Sequence, residues 1–339
     1  MVAQRIDKYE VGEFIGGGMS HVYRATDTTT DRPVALKLMN ETALANPEAR
    51  TRFLYEAELT SGLQHPNIIR VFEYGEDDGL PYIALELLEG ESLRAVAEAG
   101  RAGDDAQRIR LARQAAEALA YIHQRKIIHR DIKPENLHID RAGHLRLMDF
   151  GIAGVAGEAA ALAGATAGTP YYMSPEQVLG QPLTQQADIY SFGVLLYELF
   201  TGIKPFNGAS VNEIFEQILF RPVDPGPLTH LPEAVRSIIL ACTNKKLMER
   251  PASMGPVVDA LVPPPRPAEP GQLSPSSSRP ESTIRLKMPP PPQPGVAPQP
   301  AAIAAPKPPA KPTHPLVLAA LGAIIVAAVI YLITVISAR

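Results

Sequence analysis

Ile128-His129-Arg130-Asp131-Ile132-Lys133-Pro134-Glu135-Asn136 is the stretch from which the rest of the chain takes its meaning. Between apolar segments it sets an aspartate, a lysine and an asparagine within six positions. Moving a phosphoryl group needs a carboxylate to orient a hydroxyl, a cation beside the moving phosphate, and oxygen ligands for magnesium. Twelve residues past Asn136 comes Met148-Asp149-Phe150-Gly151, which offers a second carboxylate for a metal. Magnesium keeps a few protein oxygens plus phosphates, so Asn136 and Asp149 suffice without a dedicated cage.

Toward the N-terminus, Val34-Ala35-Leu36-Lys37 places one lysine in an apolar strand, which is costly unless an anion meets the amine. The α- and β-phosphates of a nucleotide would meet it, with a helix carboxylate steadying the amine. Glu56, in Arg52-Phe53-Leu54-Tyr55-Glu56-Ala57-Glu58, is the candidate, and Glu58 reads as a solvated charge. Further back, Ile15-Gly16-Gly17-Gly18-Met19-Ser20-His21-Val22 lies between two candidate strands. Glycines there let backbone N–H groups approach phosphate oxygens, although a glycine cluster alone is more often only a turn.

The coarse pattern fits a cleft. Strands are expected at Tyr9–Ile15, Val22–Thr26, Pro33–Met39, Ile68–Gly75 and Leu80–Leu87, with a helix over Pro47–Leu63. From Ser92 onward the pattern reads as helical, with segments over Ile109–His123, Ile189–Phe200, Val235–Cys242 and Gly255–Leu261. A small β-rich lobe followed by a larger α-rich lobe places a crevice near Glu89-Gly90.

These motifs, in this order, resemble the Hanks-type protein kinases from about Tyr9 to Leu261. The resemblance implies an α+β, bilobal protein-kinase fold over residues 9–262, with an N-lobe of about 9–88 and a C-lobe of about 89–262. It implies ATP-dependent phosphorylation of protein serine and threonine hydroxyls, with magnesium, or manganese in its place. Lys37 would pair with Glu56 and the nucleotide phosphates. Asp131 would orient the substrate hydroxyl, Lys133 would steady the γ-phosphate, and Asn136 with Asp149 would hold the metal. Ile15, Gly16, Gly17, Gly18, Val22 and Ala35 would cover the nucleotide. Glu86 and Leu88 match the segment whose backbone binds adenine, with Leu85 at the gatekeeper position. Glu176, in Ser174-Pro175-Glu176, should pair with Arg250 in a buried bridge, and Asp188 matches the residue that braces the catalytic loop. Lys133 together with Gly168-Thr169-Pro170-Tyr171-Tyr172 resembles the serine/threonine rather than the tyrosine kinases.

Two places depart from the family pattern. Gly16 to Val22 is one residue shorter than the family's glycine loop, and Ser20 stands at its third glycine; Gly17 and Gly18 still supply close-approach backbone, so weakened ATP affinity at most is expected. Gly151–Gly168 has 13 Ala or Gly among its 18 residues and a single hydroxyl, Thr166. Arg130 beside Asp131 belongs to the type whose activation loop is ordered by a phosphate. Autophosphorylation is therefore expected at Thr166, with Thr169 second.

Composition separates the remainder. Of 34 prolines, 19 fall between Pro263 and Pro315, a stretch unable to bury enough apolar surface to fold. The linker is basic, leaving a formal charge of about −9 on residues 1–262, which excludes general nucleic-acid binding. Leu316–Ile336 is 21 residues without a charge, roughly 31 Å as a helix, enough to span a bilayer. The N-terminus has no signal-like apolar run, so the expectation is a cytoplasmic domain on a single-pass membrane anchor, with a short tail at 337–339. This organisation resembles the bacterial membrane-anchored members of the family, here with no domain expected beyond the bilayer. The one cysteine, Cys242, excludes an internal disulfide and reads as buried and inert.

Three rivals stand beside the kinase expectation. One is a pseudokinase scaffold that keeps the fold without turnover. Another is a tethered interaction module whose Pro289-Pro290-Pro291-Pro292 docks partners, against which a stiff spacer is the plainer account. A third is a small-molecule phosphotransferase, which usually lacks the Gly168–Glu176 type of platform. Tethered copies would meet often, so a transient homodimer phosphorylating in trans is expected.

Overall fold

Strand β4, Arg32–Met39, explains how the smaller lobe is built. Its period of two sends Val34, Leu36 and Leu38 into one apolar cluster, with Ile6, Tyr9, Ala25, Tyr82 and Ala84. Met39 joins a second cluster on the other face with Phe53, Ala57, Val71 and Ile83. Apolar groups are needed on both sides because β4 is an inner strand covered on both faces. Lys37 shares the face of Met39, which is the face that receives a helix. The computed structural model describes residues 5–17, 20–150 and 170–263.

Around β4 the sheet runs β1 (Arg5–Ile6), β2 (Tyr9–Gly17), β3 (Ser20–Asp27), β4, β6 (Leu80–Glu86) and β5 (Val71–Asp77). Every pairing is antiparallel. After the short helix α1 (Glu41–Leu44), α2 spans Pro47–Ser61. Asn46 caps it by accepting from the backbone N–H groups of Glu48 and Ala49, and Pro47 opens its first turn. Phe53, Ala57 and Thr60 are its buried residues. Glu56, one turn from Phe53 and Thr60, is carried to the edge of that face.

The larger lobe packs around α6 (Gln185–Thr201), in which every residue from Ala187 to Tyr197 is buried. Thr184 caps its start and Gly202, at φ 74°, takes the left-handed position that ends it. Helices α3 (Leu93–Glu98), α4 (Asp105–Gln124), α5 (Pro175–Val178), α7 (Val211–Phe220), α8 (Glu233–Cys242) and α9 (Gly255–Ala260) are the other α-helices of this lobe among the described residues. Cys242 is fully buried against Gly193, and burial pushes its thiol up to about 12, which leaves it inert.

The bilobal α+β architecture expected from the sequence is the one observed, with two corrections. The chain beyond Ser92 is not helical throughout. Strands β7 (Gly90–Ser92), β8 (Leu137–Asp140) and β9 (Leu145–Leu147) form a second sheet beside the catalytic stretch. The fifth strand begins at Val71 rather than Ile68, because Ile68 makes an isolated bridge to Leu147 instead. Helix α7 agrees with the helical pattern beyond Ser92 but lies where no segment is placed from sequence; Ser210 caps it, and Ile214 and Ile218 form its buried stripe. Among the described residues no helix is long and apolar enough to cross a membrane.

The chain divides into two units, residues 1–269 and 270–339, and the second lies wholly outside the described residues. Gly18, Thr166, Thr169, all of the linker beyond Pro263, the expected span 316–336 and the tail 337–339 also fall outside them.

Candidate active site

A cavity of about 680 Å³ opens between the lobes. One wall comes from the smaller lobe, with Ile15, Gly16, Gly17, Val22, Ala35 and Lys37. Leu85, Glu86 and Leu88 line it where the chain crosses to the larger lobe, which contributes Asp131, Lys133, Asn136 and Asp149. Glu56 reaches it from α2. All the expected catalytic, nucleotide and metal residues that lie among the described residues therefore meet in one crevice.

Charge is concentrated at its inner end. Lys37 Nζ lies 3.1 Å from Glu56 Oε1 and 3.0 Å from Asp149 Oδ1. Burial alone would pull the Lys37 amine down, but Asp149 and Glu56 outweigh it and hold the amine above its ordinary value. Burial, helped by the like charge of Asp149, raises the Glu56 carboxyl in spite of Lys37. The Lys37 charge holds Asp149 below the usual carboxylate range, although 54% exposure of the side chain lets solvent soften that hold.

The catalytic stretch is pinned from below. Asp188, buried on α6, accepts from the backbone N–H groups of His129 and Arg130, both at 2.8 Å. It also lies 2.7 Å from His123 Nε2. The two amide bonds hold Arg130 at φ 70°, a left-handed conformation that a non-glycine residue keeps only when its surroundings impose it. His129 is buried, and burial pulls its imidazole below the ordinary value. Its Nδ1 accepts from the Asp131 N–H at 3.4 Å, so Nε2 carries the proton and donates to the Met148 carbonyl at 3.0 Å. The His129 ring lies over Phe150 at 4.7 Å, joining the catalytic stretch to the Asp149 loop.

Asp131 is oriented through one oxygen. Lys133 Nζ donates to its Oδ2 at 2.6 Å, and Asn136 Nδ2 donates to the same oxygen at 2.9 Å. Among the described residues its Oδ1 has no hydrogen-bond partner. Asn136 spends only its amide nitrogen on these bonds, so its carbonyl oxygen remains a donor to a cation. An aspartate oxygen, an amide oxygen and phosphate oxygens make a hard donor set that fits magnesium or manganese.

Behind the catalytic stretch, Arg250 and Glu176 form a forked pair at 2.7 and 3.0 Å, with side chains 0% and 2% exposed. Gln177 ties this segment to the Arg130 carbonyl at 2.8 Å. The glycine hairpin closes through Gly16 opposite Val22 and Gly17 opposite His21, which is the shortened geometry in backbone form.

Some cavity residues escaped the sequence. Met39, Thr60, Ile69 and Met148 line it, as does His138, whose Nε2 is buried with no hydrogen-bond partner among the described residues. His138 sits two positions beyond Asn136, and strand alternation from Leu137 is the signal that would have exposed it to the cleft.

Comparison with known proteins agrees with this geometry. The profile of the protein kinase domain family matches residues 9–259. The serine/threonine-protein kinase PrkC of Bacillus subtilis is 35% identical over 255 residues, covering 74% of this chain and 39% of its own length. The serine/threonine-protein kinase pkn3 of Myxococcus xanthus is 36% identical, covering 73% of this chain and 48% of its own length. PknB of Mycobacterium leprae is 37% identical, with 65% and 36% covered. The chain thus spans less than half the length of these relatives. The solved PknI kinase domain of Mycobacterium tuberculosis aligns over 77% of this chain and 98% of its own, with a TM-score of 0.61 and 24% identity, a likeness of fold. With a two-lobed fold, one crevice gathering the phosphate-directed residues, and a family match over most of its length, the chain belongs to the protein kinase domain family.

Proposed function

We propose that this chain is an ATP-dependent serine/threonine protein kinase, held at the cytoplasmic face of a membrane by residues 316–336. The observation that supports it most is the convergence of Lys37, Glu56, Asp131, Lys133, Asn136 and Asp149 on one cavity large enough for a nucleotide. Names of relatives similar over the kinase domain point to the same chemistry.

In this reading the base lies against Leu85–Leu88, and Lys37, steadied by Glu56, binds the α- and β-phosphates. Asp131 Oδ1 orients the substrate hydroxyl and takes its proton as the hydroxyl oxygen bonds to the γ-phosphorus. The bond from that phosphorus to the β–γ bridging oxygen breaks and ADP leaves. Lys133 offsets the charge on the transferring group. Asn136 and Asp149 would hold magnesium, which when bound neutralises phosphate charge. Thr166, then Thr169, is the proposed autophosphorylation site, modified in trans between tethered copies.

The shortened glycine hairpin favours one competing account, a pseudokinase scaffold. The deciding experiment incubates the full chain with ATP and magnesium and maps new phosphates by mass spectrometry, beside Lys37→Met and Asp131→Asn. Transfer by the parent, lost in both variants, supports the kinase. Nucleotide binding without transfer, or no nucleotide binding at all, would remove the kinase and leave the scaffold. Cell fractionation tests the anchor, since deleting 316–336 should release the chain from membranes.

A further inference from the structure

Arg94, on α3, is enclosed by acidic groups drawn from separate parts of the larger lobe. Its Nε donates to Glu135 Oε1 at 2.9 Å, and its Nη1 to Glu198 Oε1 at 2.8 Å. Its Nη2 donates to the Tyr172 hydroxyl, which in turn donates to Glu198 Oε2. Lys204 approaches Glu198 at 3.3 Å, and Glu98 lies 3.8 Å from Arg94 Nε. Glu135 sits inside the catalytic stretch, between Lys133 and Asn136. Tyr172 stands two residues before Ser174, in the proposed substrate platform. The cluster is therefore next to where a protein substrate must lie.

Its charge balance depends on Arg94. Glu198 has a second cation in Lys204, but Arg94 is the only cation paired with Glu135 among the described residues. Glu135 is 39% exposed, yet its Oε2 is buried without a donor among the described residues, so the carboxylate is incompletely satisfied even with Arg94 present. A carboxylate that loses its partner while partly desolvated seeks another cation, and a substrate side chain is the nearest source.

We propose that Arg94 is an internal stand-in for a substrate cation. It fills the acidic site of Glu135 and Glu198 beside the catalytic stretch and keeps the enzyme from selecting basic residues close to the phosphoacceptor. Arg94 is a specificity-setting and positioning residue with no contact to nucleotide. The inference rests on the protein-kinase reading above.

The test scans serine peptides carrying Arg, Lys, Glu or a neutral residue at each position around the acceptor. Full-chain parent, Arg94→Gln, Glu135→Gln and Arg94→Gln/Glu135→Gln are compared, with KM for ATP measured alongside. The parent should show little preference for basic residues near the acceptor. Arg94→Gln should gain about tenfold in kcat/KM for a basic residue at one such position, mainly through peptide KM, with KM for ATP unmoved. The double variant should lose that gain. Glu135→Gln leaves Arg94 with excess charge and should favour an acidic residue at the same position, which tests the idea even if Arg94→Gln fails to fold. Active variants that keep the parent's peptide preferences would overturn the proposal. A parent that already selects Arg there, and loses this in Glu135→Gln, would overturn it too. A parent that transfers phosphate neither to its own chain nor to any peptide refutes the kinase reading itself, and the inference falls with it.

Discussion

Lys37 and Lys245 show how burial acts on similar amines in opposite directions. Lys37 has two carboxylates at hydrogen-bond distance and stays charged. Lys245 has the Tyr190 hydroxyl at 2.9 Å, the Gln217 carbonyl at 3.4 Å and the Phe206 ring at 4.0 Å, with no carboxylate paired to it among the described residues. Burial, with the charge of Arg250 behind it, pushes its amine from the ordinary 10.5 down to about 7. Between those values the unfolded chain binds more protons than the folded one, so the penalty is complete below about 7 and is relieved as pH rises toward 10.5. Unfolding titrations of the parent and Lys245→Met should therefore show a shallower rise of stability with pH in the variant across that window. Equal slopes would contradict this. At this scale the sequence was legible wherever chemistry demands fixed residue types at fixed spacing, as with Asp131, Lys133 and Asn136. It was silent on Lys245 and His138. The company each keeps is set by distant segments, Tyr190 and Phe206 for one and the pairing of Ser92 with His138 for the other.

Among elements, the catalytic stretch, α5 and α6 behave as one assembly because buried polar pairs lock them together. Removing one partner of the Glu176–Arg250 pair leaves a charge uncompensated in the core, at a cost of about 3–5 kcal/mol. Glu176→Gln and Arg250→Met should each lose stability on that order in denaturant titrations, and the double variant should lose less than their sum. Strict additivity would show that the pair is not coupled. The glycine hairpin makes a separate prediction. Gly17 lies at φ 142°, and a Cβ there would come within 2.0 Å of the Ser20 carbonyl oxygen. Gly17→Ala must therefore open the hairpin, and KM for ATP should rise at least about tenfold with the fold retained. An unchanged KM would mean that this hairpin does not cover the nucleotide. Long elements such as α4 and α6 were readable from their apolar pattern. Strands β7–β9 were not, since three or four residues are too few to declare a period and their pairing is tertiary.

For the whole molecule, if residues 316–336 span a membrane as proposed, the length of the Pro-rich segment before them would set how often two catalytic domains meet. Fully extended, 53 residues would reach beyond about 100 Å, so under that proposal neighbouring copies in one bilayer would lie within range. Autophosphorylation of the full chain in vesicles should accelerate with its surface density, and a rate independent of density would contradict transfer between copies. Beneath these proposals lies one claim, that a single crevice gathers the groups that hold and transfer a triphosphate. The most direct measurement is a crystal structure with a non-hydrolysable ATP analogue and magnesium. The account predicts Lys37 on the α- and β-phosphates, oxygens of Asn136 and Asp149 about 2.1 Å from the metal, and Asp131 Oδ1 facing the γ-phosphate. A nucleotide seated elsewhere, or a metal bound without Asn136 and Asp149, would contradict it.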